Sequence, residues 1–178
     1  MMKLQQYLIE GKHLKDPMIG FGVDDSLIRP TVKHIKSWLI RYDIPYEAIT
    51  DYHLTIAQIL GNYEKDMLVR LTNSIDIEFT LNPLCIKILK GKLTPKDYIV
   101  IEYHPATEFV KSAIEISKEL EVVKFNRVIP HISLFSIPRD ALSDQMFNDM
   151  MHVIAPLKKV TPTEVQLWNS LHLKEYHT

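Results

Sequence analysis

Two short phrases of the sequence carry residues that could do acid–base chemistry: His53-Leu54-Thr55-Ile56 and His131-Ile132-Ser133-Leu134. In an extended strand residues i and i+2 point the same way, so His53 shares a face with Thr55, and His131 with Ser133, while the apolar residues back the other face. Two imidazoles on either side of a phosphodiester suit its cleavage. One takes a proton from the attacking oxygen, the other gives a proton to the leaving oxygen, and both titrate near neutrality, at a reference value of about 6.5. The two hydroxyls can donate to the non-bridging phosphate oxygens, where charge builds in the transition state. Such a set works without a metal ion.

Taken alone, a His-x-Ser/Thr match is a weak signal: eight histidines should yield about one by chance when roughly a tenth of residues carry a hydroxyl. Both matches here, however, fall within alternating apolar stretches, "TDYHLTIAQIL" and "VIPHISLFSIP". The remaining histidines do not repeat the pattern. His13, His34 and His172 are followed two residues later by lysine, His104 by Ala106 and His152 by Ile154. No His-x3-His or His-Glu-x2-His occurs, which argues against a metal hydrolase.

The elements that must position these residues repeat as well. The spacing predicts a strand over 18–23, a helix starting at Asp24, Asp25 and Ser26 with Pro30 in its first turn, and then the strand around His53. The helix would bury Ile28, Val32, Ile35, Leu39 and Tyr42 as one stripe. A helix over 63–74 follows, with strands near 76–81, 84–90 and 97–103, a helix from Pro105 to about 121, and the strand around His131. A Met-rich helix (Met146, Phe147, Met150, Met151, Ile154) and a strand over 163–171 end the series. Ile19 precedes His53 by 34 residues and Ile99 precedes His131 by 32. Each half thus reads strand, helix, motif strand, as expected of an α+β fold with two similar lobes whose motif strands, about 51–59 and 129–137, line a central groove.

With 178 residues, 46% of them hydrophobic and 24% charged, the chain is expected to form one domain over 1–178. A formal net charge of -1 gives no global pull toward polyanions, so bulk duplex nucleic-acid binding is not expected. Cys85 is the single cysteine and can form no internal disulfide. The first 15 residues lack the apolar run of a signal peptide, and no apolar run reaches about 18 residues. A cytoplasmic protein without membrane contact is the expectation, in a cell or an infected host. Composition leaves the oligomeric state open.

The two phrases, "HLTI" at 53–56 and "HISL" at 131–134, resemble the paired motifs of the two-histidine phosphoesterase superfamily, the group of the 2′,5′ RNA ligase-like proteins and cyclic phosphodiesterases. The resemblance extends over most of the chain, and "VQLWNS" at 165–170 looks like the family's closing strand. Ser133 stands for the more frequent threonine, and Trp168 where many relatives carry tyrosine. The resemblance implies a bilobal α+β fold and cofactor-free, metal-independent cleavage or formation of RNA-type phosphodiesters. His53 and His131 would be the acid–base pair, with Thr55 and Ser133 as the phosphate binders. Its substrates would be 2′,5′-oligoadenylates, 2′,3′-cyclic phosphates, 3′-terminal RNA groups or cyclic oligonucleotide messengers, and some viral and phage members destroy host nucleotide alarm signals in this way. RNA-end processing, 2′,5′ ligation, or nucleotide binding without catalysis are the alternatives.

A small nucleotide or oligonucleotide also needs surfaces for its bases, and stacking contributes on the order of 1 to 3 kcal/mol per base. Phe21, Trp168 and Phe135 are the aromatic candidates on or near the expected groove. Lys124 and Arg127, just before the second motif, are candidates for further phosphates, although a solvated loop charge is the better account of each.

Overall fold

The computed structural model describes residues 13–15, 17–75, 77–91, 94–121, 129–152, 154 and 156–168. Strands β1 (His13–Lys15) and β2 (Met18–Gly22) lead into helix α1 (Asp25–Arg41). The helix begins where it does because the Asp24 carboxylate accepts the Ser26 amide at 2.8 Å, a bond that also holds the Asp24 carboxyl below its ordinary value. Pro30 lies in the second turn rather than the first, and the helix runs through it. The buried stripe is Ile28, Thr31, Ile35, Trp38 and Leu39. Tyr42 caps the helix instead of extending the stripe and stacks on Trp38 with ring centroids 4.4 Å apart.

Strands β3 (Glu47–Ala48), β4 (His53–Gln58) and β5 (Asn62–Glu64) follow, then helix α2 (Lys65–Asn73). Next come the hairpin β6 (Pro83–Lys90) and β7 (Lys96–Tyr103), helix α3 (Thr107–Glu119), strand β8 (His131–Pro138), helix α4 (Asp144–Met151) and strand β9 (Glu164–Trp168). The result is an α+β fold whose strands pair antiparallel throughout, in two main sheets ordered β4-β2-β9 and β3-β8-β7-β6, with a separate β1–β5 ribbon. The stretch expected as a strand over 76–81 forms none among its described residues. Only Leu81 makes a bridge, to Val160, while Ile77 and Phe79 are held by burial rather than by a ladder. No helix among the described residues is long and apolar enough to cross a membrane.

The expected parallel between the halves is visible in the pairing. Strand β2, helix α1 and strand β4 form one unit with β4 against β2, and β7, α3 and β8 form the other with β8 against β7. Each motif strand is broken by a bulge at the same place. Gly20 pairs with Thr55 while Ile19 pairs with Ala57, leaving Ile56 as an extra residue. Val100 pairs with Ser133 while Ile99 pairs with Phe135, leaving Leu134 extra. A bulge kinks a strand and increases its twist, so each bend comes one residue past the hydroxyl. The two sheets meet at these strands, β4 lying against β8.

Candidate active site

His53, Thr55, His131 and Ser133 are all half-buried, whereas Leu54, Ile132 and Leu134 behind them have no solvent exposure. The alternation therefore does what a half-buried strand requires, with the apolar set inward and the polar set on the open face. The two imidazoles are fixed in the same manner. Nδ1 of His53 donates to the Asp51 carbonyl at 2.9 Å, and Nδ1 of His131 donates to the Ile129 carbonyl at 3.1 Å. A carbonyl oxygen only accepts, so in both rings Nδ1 carries hydrogen and Nε2 is the nitrogen that gains or loses a proton. Thr55 Oγ1 donates to the Met18 thioether at 3.5 Å. Sulfur is a weak acceptor, and an anionic phosphate oxygen would take that hydroxyl from it.

Burial pushes the His53 imidazole below its ordinary value near 6.5. The Asp51 carboxylate and the bond to its carbonyl oppose this, and the positive charge of His131 adds to it. A histidine with a lowered value in the fold binds its proton less tightly than the unfolded chain does. Its contribution to stability is therefore full above about pH 6.5 and is lost as the pH falls from there toward the folded value. Between about pH 7.5 and 5.5, wild-type protein should lose more stability than His53→Asn in urea titrations. Parallel pH dependences for the two proteins would contradict the lowered value.

Two of the aromatic candidates are corrected by the structure. Phe21 has no solvent exposure. It lies opposite Leu54 and Val165, on the sheet face away from His53, and packs edge-on against Phe79 at 5.1 Å. Phe135 was expected to continue the face of His131 and Ser133, but the bulge at Leu134 shifts the alternation by one. Phe135 pairs with Ile99, turns inward, is fully buried, and meets Tyr46 edge-on at 5.5 Å. Trp168 places its backbone opposite Met18 at the end of β9, and its side chain lies outside the described residues. Lys124 and Arg127 lie outside them entirely.

The pairing also brings in residues that the motifs did not point to. Opposite residues of an antiparallel pair share a face, so Glu102 stands directly beside His131, with Cys85 beyond it on β6. The Glu102 side chain is only 6% exposed and is matched by Lys87 Nζ at 3.2 Å. On the first sheet, Gly20 and Gly22 stand beside Thr55 and His53, with Gln166 and Glu164 across β2. Glycine at alternate positions of an apolar strand, "IGFG", was the signal for this, since it marks a face where something must come close to the backbone. Among the described residues no group of three or more His, Cys, Asp or Glu side chains is arranged to hold a metal ion.

Searches of known sequences gave no match to any family profile and none to any curated protein. Solved structures do match. The chain superposes on Escherichia coli LigT, solved in complex with 3′-AMP, with a TM-score of 0.51 at 16% identity, covering 86% of each chain. Kluyveromyces marxianus Usb1 matches with a TM-score of 0.48 at 10% identity, over 87% of this chain and 98% of that one. The fold is that of the two-histidine phosphoesterases.

Proposed function

We propose that this chain is a metal-independent phosphodiesterase that cleaves an RNA-type phosphodiester in a small nucleotide, with His53 and His131 as its acid–base pair. The observation that carries this is the duplicated arrangement: on two touching strands, an imidazole is pinned through Nδ1 to the carbonyl two residues before it, with a hydroxyl two residues after it and a bulge beyond that. A binding module has no need of two titratable rings held in matching tautomers. That LigT, which shares the fold, was solved with a nucleotide supports a nucleotide as the ligand.

His53 is the ring that burial keeps neutral, which suits it as the base. For a substrate with a free hydroxyl next to the phosphate, His53 Nε2 takes the proton as that oxygen bonds to phosphorus. The bond from phosphorus to the leaving oxygen breaks, and His131 supplies the proton that oxygen needs. The products are a cyclic phosphate and an alcohol; His53 ends holding the proton of the attacking hydroxyl, and His131 has passed its own to the leaving oxygen. When the substrate is already a cyclic phosphate, water attacks and the ring opens to a monoester. Thr55 and Ser133 donate to the non-bridging oxygens in either case.

The test is incubation in EDTA with 2′,5′-oligoadenylate, cyclic di- and trinucleotides, and nucleoside 2′,3′-cyclic phosphates, with products identified by mass. Selective cleavage supports the reading, and a cyclic or opened product identifies the attacking oxygen. Binding without cleavage across the panel would make the protein a nucleotide-binding module.

A further inference from the structure

The cross-strand rows that hold the motif residues differ in charge between the two sheets. On the first sheet the row of His53 ends in Glu164 and that of Thr55 in Gln166. Asp25 and Asp51 join Glu164 around a polar cavity of about 390 Å³, where like charge repels an anion. On the second sheet the row of His131 runs through Glu102 to Cys85, and the row of Ser133 through Val100 to Lys87. Among the described residues, Lys87 is the one lysine or arginine in these four rows.

The Lys87 ammonium lies on the His131 face. Ile86 and Ile88 on either side of it belong to the hydrophobic core or pack against it, so Lys87 points to the other side of β6. Its Nζ donates to Glu102 Oε1 at 3.2 Å, which carries the stem from the Ser133 row toward the His131 row. Glu102 is as near to His131 as a cross-strand neighbour can be. The Tyr103 amide donates to the Pro130 carbonyl at 2.9 Å, and bonded and non-bonded pairs alternate along an antiparallel ladder. Glu102 and His131 are therefore a non-hydrogen-bonded pair, with Cα atoms about 4.5 Å apart.

The two members of the ion pair are unequally buried. The Glu102 side chain is 6% exposed and that of Lys87 51%. Cys85 Sγ donates to Glu102 Oε2 at 3.8 Å, so both carboxylate oxygens are engaged. An ammonium carries three donors, and Glu102 is its one partner among the described residues, which leaves two donors for a group arriving from solvent.

We propose that Lys87 binds a second phosphate of the substrate, next to the scissile one on the leaving side. The site is then built for oligonucleotides, linear or cyclic, rather than for nucleotides with a single phosphate. Lys87 and Ser133 flank β7, so their Cα atoms lie about 10 Å apart, a span that one nucleotide unit bridges. Lys87 belongs to the sheet of His131, which protonates the leaving oxygen, so the phosphate it meets is carried by the leaving nucleotide. The inference deepens the proposed function by naming the substrate class, and it rests on that reading for the placement of the scissile phosphate.

The experiment is calorimetric binding of adenosine 3′,5′-bisphosphate and of adenosine 3′- and 5′-monophosphates to the full chain in EDTA. At about 0.15 M salt, charges more than about 8 Å apart are largely screened. The bisphosphate should bind at least about fivefold more tightly than either monophosphate. In Lys87→Gln that advantage should fall to within about twofold, and Lys87→Arg should keep it. Lys87→Gln leaves Glu102 buried without its cation, so the double variant Lys87→Gln/Glu102→Gln, with both charges removed, is measured beside it, and melting curves confirm the fold. Glu102→Gln separates a phosphate ligand from a structural ion pair. The glutamine carbonyl still accepts from Lys87 while the negative charge is gone, so the bisphosphate advantage should be kept or increased. A pair that acts only through the fold makes the two single substitutions equivalent. No bisphosphate advantage in wild-type protein, its survival in a folded Lys87→Gln or double variant, its loss in Glu102→Gln, or no binding at millimolar concentration would each overturn the subsite. Because the readout is binding, a Lys87-dependent advantage with no cleavage of the phosphodiester panel would refute the enzyme reading and leave the phosphate subsite standing. Cleavage without a bisphosphate advantage would do the reverse.

Discussion

Replacing His53 or His131 by alanine should lower the single-turnover rate about 10² to 10⁴-fold, the usual effect of removing one positioned proton transfer. Both rings are half-buried and donate to a backbone carbonyl outside the strand ladder, so removing either leaves that ladder intact and the fold should persist. The double variant gives the sharper result. Two groups that share one proton circuit act as a unit, and losing the second costs little once the first is gone. The double variant should be no more than about tenfold slower than the slower single one, whereas independent contributions would multiply. With His53 as base, the acid limb of kcat/KM in wild-type protein should lie below the ordinary imidazole value near 6.5, because burial disfavours its protonated form. Wild-type rates in both single variants would remove the acid–base pair from the mechanism.

Much of this arrangement could be read along the chain because it is written in local patterns. Alternation placed the motif strands at 53–58 and 131–138 within a residue or two, and the Asp24 cap and the stripe of α1 located the first helix. What failed depended on partners. The stretch at 77–81 alternates like a strand, but a ladder needs a neighbour, and only Leu81 finds one. Strand β3 is two exposed residues whose only claim to the sheet is pairing with Ser136 and Phe135. The bulges were the most consequential omission. An extra residue leaves composition unchanged and shifts every later side chain to the opposite face, which is how Phe135 came to be expected on the groove side. Glu102 and Gln166 were equally hidden, since what makes them neighbours of the motifs is register with other strands.

Phe21 shows what that difference means for stability. Its ring packs with Phe79 at 5.1 Å and Phe109 at 6.0 Å, and those two lie 6.2 Å from each other, so one aromatic cluster joins β2, the 77–80 segment and α3. The cluster lies directly behind Gly20 and Gly22, because alternate residues of β2 face opposite sides. Phe21→Ala removes a fully buried ring and two edge-on or tilted contacts, and should cost about 3 to 5 kcal/mol in urea unfolding. Phe21→Leu keeps most of the volume and should cost about half as much. Nucleotide affinity, measured where the alanine variant is still folded, should change by less than about threefold, since the ring is fully buried on the sheet face away from His53. A stacking residue would behave in the opposite way, losing affinity on truncation while stability held or rose as an exposed apolar ring was removed. The pair of measurements therefore separates a residue that touches the nucleotide from one that supports the motif strand from behind, and Phe21 should fall with the second.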